Sequence, residues 1–374
     1  MSKRLNYLDA LRGFAVLGVI AIHSAQYSKP LPPTFNVLVQ QGQYGVQLFY
    51  IISAFTLFLS LSSRGLTESK SLQNFFVRRL FRIAPLFWCA MIFYLMRDGL
   101  GPRFWLGDAP GISISNIIAT ATFTNGWNPY WINSIVPGGW SVAVEMMFYL
   151  TVPFLYKKIR SIRAATIFTC STLLLSLLLS KLGSVVIPIS DRELWRNFLY
   201  LALPSQMPVF GLGFMLFFFS HNLDKLMPTL QNQKEALLLS RKFMSLLLLT
   251  FSILFCIFLT YGNLRIPVHF LYGIAFVILT MALQIYPWCL FVNPLTEYVG
   301  KISYSAYLTH FSILPLAKKI PEIFWLREDC NALPVYLLTF GITLGGTIII
   351  SSITYRLIEV PGQSLGRRLI LIHN

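Results

Sequence analysis

Apolar residues occur in long runs along this chain, and short segments rich in polar residues separate them. A run of about 20 apolar residues is long enough to cross the hydrocarbon core of a bilayer as a helix. The pattern predicts an all-α, polytopic membrane protein with about ten transmembrane helices. Their predicted bounds are residues 8–25, 43–62, 83–97, 139–156, 164–183, 198–219, 243–260, 267–286, 303–317 and 333–355.

The composition agrees with a membrane location and excludes several other classes of protein. Hydrophobic residues make up 55% of the chain and charged residues only 12%, whereas soluble domains carry about 25% charged residues. The net charge of +16 would suit a nucleic-acid partner. However, Lys and Arg form short clusters at the ends of apolar runs, so we expect no nucleic acid. The five cysteines have no metal-ligand spacing, and we expect no metal.

The basic residues also predict an orientation. More of the 30 Lys and Arg residues fall on the side of the N-terminus than on the opposite side. The positive-inside rule therefore predicts N-in and C-in. The longest stretch without a predicted helix, residues 98–138, lies outside in this topology. A single membrane-embedded domain over residues 1–374 is expected, without an appended soluble domain.

The first predicted helix contains ionisable residues at positions where they are costly. Arg12 and His23 are eleven positions apart, which places them on one face of a helix, with a rise of about 16 Å between them. Arg12 would lie near the cytoplasmic end and His23 near the outer end. An alternative is that Arg12 reaches the interface paired with Asp9, and that His23 is an interfacial histidine.

Three arginines precede the third predicted span, in the run NFFVRRLFRIAPLFW. Arg79 and Arg82 are one turn apart, and the guanidinium fork matches phosphate oxygens. An anion with several oxygens is the predicted ligand of Arg12, Arg79 and Arg82. An ordinary positive-inside cluster is the alternative.

Glu145 lies one or two turns into the fourth predicted span, in the run GGWSVAVEMMFYL. Its depth should match that of His23, and a carboxylate beside an imidazole forms a candidate general-base dyad. In the alternative, Glu145 is a buried carboxyl satisfied by a helix neighbour such as Ser141.

Aromatic and polar residues near the outer face are candidates for substrate binding. Ser141, Tyr307 and the indole of Trp140 could donate hydrogen bonds to an oxyanion, and His310 could line the same cavity as Tyr307 one turn away. A structural hydrogen bond between packed helices is the alternative for Tyr307 and His310. The loop residues form either a sugar-binding surface or an interfacial aromatic belt; they are Asn125, Trp127, Asn128, Tyr130, Trp131 and Asn133.

Five segments together resemble the acyltransferase-3 family of bacterial membrane O-acyltransferases. They are LDALRGFAVLGVIAIH (8–23), FFVRRLFRIAPLFW (75–88), GGWSVAVEMMFYL (138–150), GKISYSAYLTH (300–310) and YRLIEVPGQSLGRR (355–368). The resemblance implies that an acyl group, usually acetyl, passes from cytoplasmic acyl-CoA to a sugar hydroxyl of an envelope polysaccharide or glycolipid. It also implies a bacterial inner-membrane location, and functional importance for Arg12, His23 and Glu145.

The resemblance and the helix spacing suggest one route for the donor. Arg12, Arg79 and Arg82 would bind the CoA phosphates at the cytoplasmic mouth, with His23 and Glu145 about 16 Å deeper. A pantetheine arm has a comparable length. His23 would act as general base, or an acyl-histidine or acyl-serine intermediate would form, and these possibilities stay open at this point.

A proton-coupled transporter or flippase of an envelope glycan is the rival class, with Arg12, His23 and Glu145 as a proton relay. That class predicts inverted repeats and paired broken helices. The sequence has no repeat of this kind, so the enzyme is favoured.

Overall fold

The computed structural model describes residues 5–64, 71–226, 234–262, 267–324 and 331–373. Fifteen α-helices are numbered within these ranges. They are α1 Asn6–Gln26, α2 Pro33–Gln40, α3 Gly45–Arg64, α4 Ser71–Asp98, α5 Ile114–Ala121, α6 Gly139–Lys158, α7 Ile162–Val185, α8 Arg192–Leu201, α9 Leu203–Leu226, α10 Lys234–Tyr261, α11 Val268–Ile285, α12 Pro294–Lys301, α13 Ser303–Phe324, α14 Ala332–Thr354 and α15 Val360–His373. A π-helical turn, Tyr355–Glu359, lies between α14 and α15.

The all-helical membrane fold is confirmed. Within the described ranges, eight helical stretches are long and apolar enough to cross a membrane. Two other predicted spans fall on α6 and α13, which are helical but are not among the eight. Polar residues such as Glu145 in α6 and His310 in α13 reduce the hydropathy of these helices. The count of about ten and the N-in, C-in orientation stay predictions; Lys3, Arg4 and Lys70, which contribute to the orientation, lie outside the described residues.

The chain divides into two compact units. Unit 1 comprises Met1–Thr56 and Leu212–Ser351, and unit 2 comprises Leu57–Gly211 and Ser352–Asn374. The prediction of one domain over the whole chain stays a prediction.

In unit 1, α1 packs against α12 and against the 3₁₀ turn Gln41–Tyr44 through glycines. A Cβ at Gly300 would lie 1.7 Å from the carbonyl oxygen of Asp9, and one at Gly42 would lie 2.1 Å from that of Gly18. Only glycine permits backbones to approach this closely. These contacts fix the position of the helix that carries Arg12 and His23.

In unit 2, α15 packs against α4 in a similar way. A Cβ at Gly362 would lie 2.9 Å from Pro85 Cγ, and one at Gly366 would lie 2.7 Å from Phe81 Cβ. Helix α4 begins at Ser71, about three turns earlier than predicted, because its arginines lower the apolar signal of the first turns. Arg78, Arg79 and Arg82 therefore lie inside α4 and do not precede it, which corrects the sequence-based boundary.

The segment between α4 and α6 is held by its own polar side chains. Arg103 donates to the carbonyls of Gly99 and Ser134, at 2.5 and 3.2 Å. Asn116 Nδ2 donates to Ser134 Oγ at 2.8 Å. The two bonds of Arg103 satisfy backbone carbonyls that lie outside helices, and the bond of Asn116 joins two side chains. The segment is therefore an ordered part of unit 2.

Candidate active site

Arg12 and His23 lie near opposite ends of α1, in unit 1. Arg12 Nη1 lies 3.1 Å from Asp9 Oδ1, one turn away, and the two side chains are 18% and 16% exposed. The pairing of Arg12 with Asp9, which belongs to the alternative interpretation of Arg12, is thus present in the structure. The ion pair holds the guanidinium near the N-terminal end of α1.

The imidazole of His23 contacts groups from its own helix and from α13. Its Nδ1 lies 2.8 Å from Gln26 Oε1, one turn further along α1. Its ring stacks on that of His310, with centroids 5.4 Å apart and an interplanar angle of 29°. Phe311 packs against both rings, at centroid distances of 4.5 and 4.2 Å. The structure thus brings two histidines from separate motifs into one cluster.

Tyr307 and His310 lie together on α13, as their spacing predicts. Their ring centroids are 6.0 Å apart, and both side chains are buried. Tyr307 also packs edge-on against Phe49. Together with the stacked His23, they form a compact aromatic and imidazole cluster in unit 1.

In unit 2, Glu145 accepts a hydrogen bond from the hydroxyl of Tyr149 at 2.5 Å. The guanidinium carbon of Arg79 lies 5.9 Å from the Tyr149 ring centroid and 5.7 Å from that of Phe75. The charge of Arg79 also interacts with those of Glu145 and Arg82. This arrangement corrects the sequence-based distance, because Arg79 lies beside the Glu145 group and not about 16 Å from it.

The reason for this difference lies in the start of α4. With the helix beginning at Ser71, Arg79 is already two turns inside it, and Tyr149 lies in the middle of α6. Arg79 Nε has no hydrogen-bond partner among the described residues. The contacts of the Arg79 guanidinium with the rings of Phe75 and Tyr149 are cation–π interactions.

The first turn of α6 contains Trp140 and Ser141. Ser141 Oγ donates to the carbonyl of Gly138 at 3.0 Å, and Gly138 has a φ of 76° at the N-cap. Trp140 is half-buried. Oxyanion roles for Trp140, Ser141 and Tyr307 stay predictions.

The loop asparagines differ from the expectation of amides that face a sugar. Asn125 and Asn133 are only 2% and 8% exposed. Asn125 Nδ2 donates to the carbonyl of Ile132 at 3.2 Å, and Asn128 Oδ1 accepts from Tyr130 N at 2.9 Å. The side-chain amides of Asn125 and Asn128 therefore form hydrogen bonds with the backbone of their own loop. Trp127, in contrast, is 66% exposed and keeps a face available for stacking.

An exposed polar cluster ties this loop to the start of α8. Ser190 Oγ and the Tyr130 hydroxyl donate to Asp108, and these bonds hold the pKa of Asp108 below its ordinary value. Partial burial raises the pKa of Tyr130, and the hydrogen bond to Asp108 and the charge of that carboxylate raise it further. The cluster favours a charged carboxylate at Asp108.

Two cavities lie away from these groups. One of about 390 Å³ in unit 1 lies between α1, α10 and α11, and one of about 430 Å³ in unit 2 lies between α7 and α8. Both have mainly apolar walls. Trp127, a predicted sugar-binding residue, lines the cavity in unit 2. The predicted catalytic, phosphate-binding and oxyanion residues line neither cavity. Within the ranges the structure describes, no three His, Cys, Asp or Glu side chains could hold a metal ion.

Two site residues were missed by sequence reasoning, Gln26 and Tyr149. Both lie one turn beyond a predicted catalytic residue, at i+3 from His23 and i+4 from Glu145. Helical spacing alone would have flagged them. His23 belongs to unit 1 and Glu145 to unit 2, and their dyad stays a prediction.

Comparisons with known proteins agree with the sequence motifs. A family model described as "Acyltransferase domain" matches residues 5–355. O-acetyltransferase OatA of Staphylococcus aureus strain NCTC 8325 is 25% identical over 395 residues, which covers 96% of this chain and 57% of the relative. A second S. aureus protein, from strain COL, has a provisional O-acetyltransferase name and is 25% identical over 97% of this chain. The chain thus spans somewhat over half the length of these relatives, whose names describe acetyl transfer and not transport.

Proposed function

Because the chain belongs to the acyltransferase domain family, we propose that it is a membrane O-acyltransferase that moves an acyl group, acetyl in the first instance, from cytoplasmic acyl-CoA to a sugar hydroxyl. The acceptor would be a polysaccharide or glycolipid of the cell envelope, and the location a bacterial inner membrane. The acetyltransferase names of the relatives support this choice.

The observation that carries the proposal is the pair of stacked imidazoles in unit 1. His23 lies on a helix that is apolar enough to cross a membrane, and its ring is held by Gln26 and His310. Ionisable side chains in such helices are costly and usually functional. Imidazole is also the side chain best suited to move protons near neutral pH.

In the proposed reaction, His23 takes the proton from the acceptor hydroxyl while the hydroxyl oxygen bonds to the acyl carbon. The C–S bond then breaks, and the thiolate of CoA takes up the proton from His23. Glu145 would orient the imidazole, with Tyr149 holding the carboxylate. Trp140, Ser141 and Tyr307 are the proposed donors to the oxyanion. General acid–base assistance typically contributes a factor of about 10² to 10⁴ in rate.

Arg12, Arg79 and Arg82 are the proposed ligands of the CoA phosphates. The Nε of Arg79, which lacks a partner in the described part of the chain, supports an anion at this position. Guanidinium groups bind phosphate through paired, charge-assisted hydrogen bonds. Tyr149 contacts both Arg79 and the Glu145 carboxylate, so a phosphate bound by Arg79 would lie beside Glu145 and not a pantetheine length away from it. The pantetheine-length separation in this proposal is therefore the one between Arg12 and His23 along α1.

The test uses purified full-length protein and labelled acetyl-CoA, with envelope glycan as acceptor. We expect label to move to the glycan, and we expect His23→Ala and Glu145→Gln each to abolish transfer. Their double variant should be no worse than either, because the two residues act as one unit. Wild-type protein that neither transfers from nor hydrolyses any acyl-CoA would contradict the proposed function.

The donor site is tested by Arg79→Ala and Arg82→Ala. Each should raise the KM for acetyl-CoA by about one to two decades, since a charge-assisted bond contributes roughly 1.5 to 3 kcal/mol. Arg160→Ala is the matched control, because Arg160 lies in the same unit and contacts only Tyr156 and the Lys157 carbonyl among its described partners. Equal KM values for all three variants would contradict the proposed binding of CoA phosphates by Arg79 and Arg82.

A further inference from the structure

His310 has a fixed tautomer in this structure. Its Nδ1 lies 3.1 Å from the carbonyl oxygen of Ala306, one turn earlier on α13. A carbonyl oxygen accepts hydrogen bonds and cannot donate them, so the imidazole proton is on Nδ1. Nε2 therefore carries a lone pair.

That lone pair lies in the interior of unit 1. His310 is 0% exposed, and its Nε2 has no hydrogen-bond partner within the described ranges. Buried polar atoms are nearly always paired, and an unpaired acceptor costs about 1–3 kcal/mol. The geometry therefore indicates that a bound ligand supplies the hydrogen-bond donor to Nε2.

The neighbours of His310 identify the ligand's chemistry. Its ring stacks on His23, with centroids 5.4 Å apart, and the rings of Phe311 and Tyr307 make tilted contacts with it. In the proposed reaction, His23 bonds the reacting hydroxyl. A second hydroxyl on the adjacent carbon of the same sugar would lie within hydrogen-bond reach of a group this close to His23.

We propose that His310 is a specificity-determining residue whose Nε2 accepts a hydrogen bond from the hydroxyl adjacent to the reacting one. The acceptor is then a vicinal diol of a pyranose ring, and an isolated alcohol is a poor substrate. This inference rests on the proposed function, with His23 acting on the reacting hydroxyl. A site built to bond a hydroxyl strongly disfavours an analogue that lacks it.

The test compares a methyl hexopyranoside with its set of monodeoxy analogues as acceptors for labelled acetyl-CoA. For the wild type, removal of the reacting hydroxyl should abolish transfer. Removal of one adjacent hydroxyl should lower kcat/KM by about 10- to 100-fold. His310→Asn should lower activity on the parent hexoside. For this variant, kcat/KM for the parent hexoside and for the analogue without the adjacent hydroxyl should differ by no more than about threefold.

Two further variants separate this role from a structural one. Asparagine can keep the donor to Ala306 while it removes the lone pair at the position of Nε2. His310→Gln, which can place a carbonyl oxygen near that position, should recover part of the selectivity. His269→Asn is the matched control, since His269 is another buried histidine of unit 1 and should leave the selectivity unchanged.

The outcomes are distinct. Equal loss by His310→Asn on the hexoside and all its analogues would assign His310 to packing and overturn the inference. Acetyl-CoA turnover that no hexoside increases would also overturn it, while the proposed chemistry on the donor would survive. Wild-type protein without any acetyl-CoA turnover would instead contradict the proposed function itself.

Discussion

Replacing Tyr149 with phenylalanine removes a single hydroxyl from the centre of the unit 2 cluster. The Tyr149 side chain is 3% exposed, and its hydroxyl donates to Glu145 Oε1. The ring, and with it the contact to Arg79 at 5.9 Å, stays in place. The variant therefore tests the hydrogen bond and leaves the packing intact.

The expected size of the effect follows from the charge on Glu145. A hydrogen bond to a charged group contributes about 1.5–3 kcal/mol, more than one between neutral groups. With 1.4 kcal/mol per decade, loss of the bond should lower kcat by about 10- to 100-fold if the carboxylate has to be held in place. The KM for acetyl-CoA should change by less than threefold, because Arg79 is retained.

The assay measures acetyl transfer and folded fraction for Tyr149→Phe, Glu145→Gln and the double variant. Residues in contact should show non-additive effects, so we expect the double variant to resemble Glu145→Gln alone. Tyr156→Phe is the control, since Tyr156 lies on the same helix and its ring packs against Phe58. Unchanged kcat in Tyr149→Phe, or fully additive losses, would refute the reasoning.

Three other predictions concern packing, topology and pH. Gly300→Ala should lower the free energy of unfolding by about 1–3 kcal/mol in detergent, whereas Gly341→Ala, with nothing within 4 Å of its Cβ position, should not. A cysteine at Trp127 should react with an impermeant reagent in intact cells, and one at Arg160 should not; the reverse would invert the topology. Because the pKa of Asp108 is lowered on folding, its stabilising effect is complete above the unfolded pKa, about 3.9, and disappears as pH falls through the folded pKa. The hydrogen-exchange protection factors of amides in residues 99–138, which correct for the pH dependence of the intrinsic exchange rate, should therefore fall in acid for wild type and fall less for Asp108→Asn.

The helical membrane fold was predictable because a long apolar run has few alternatives in hydrocarbon. The start of α4 was not predictable from hydropathy, because Arg78, Arg79 and Arg82 lower the hydropathy of its first three turns. The same misplaced boundary produced the wrong distance between Arg79 and Glu145. A basic cluster can thus lie inside a helix as well as before it.

The candidate site was predictable where helical spacing alone decides the contact. Asp9 with Arg12, and Tyr307 with His310, follow from their separation along one helix. The stacking of His23 on His310 joins residues far apart in sequence, and no local pattern specifies which helices become neighbours. The burial of Asn125 and Asn133 depends on the path of an irregular loop, which composition does not determine.

The glycine contacts of α1 have a consequence for anyone who surveys variation in this protein. Gly42 and Gly300 take no part in the proposed chemistry, yet their Cα atoms meet opposing backbone and leave no room for another side chain. In a saturation mutagenesis screen scored by activity, these positions should be as intolerant as His23. Only a separate measure of folded protein would tell the two groups apart, since the glycine variants should lose protein and the histidine variants should lose turnover.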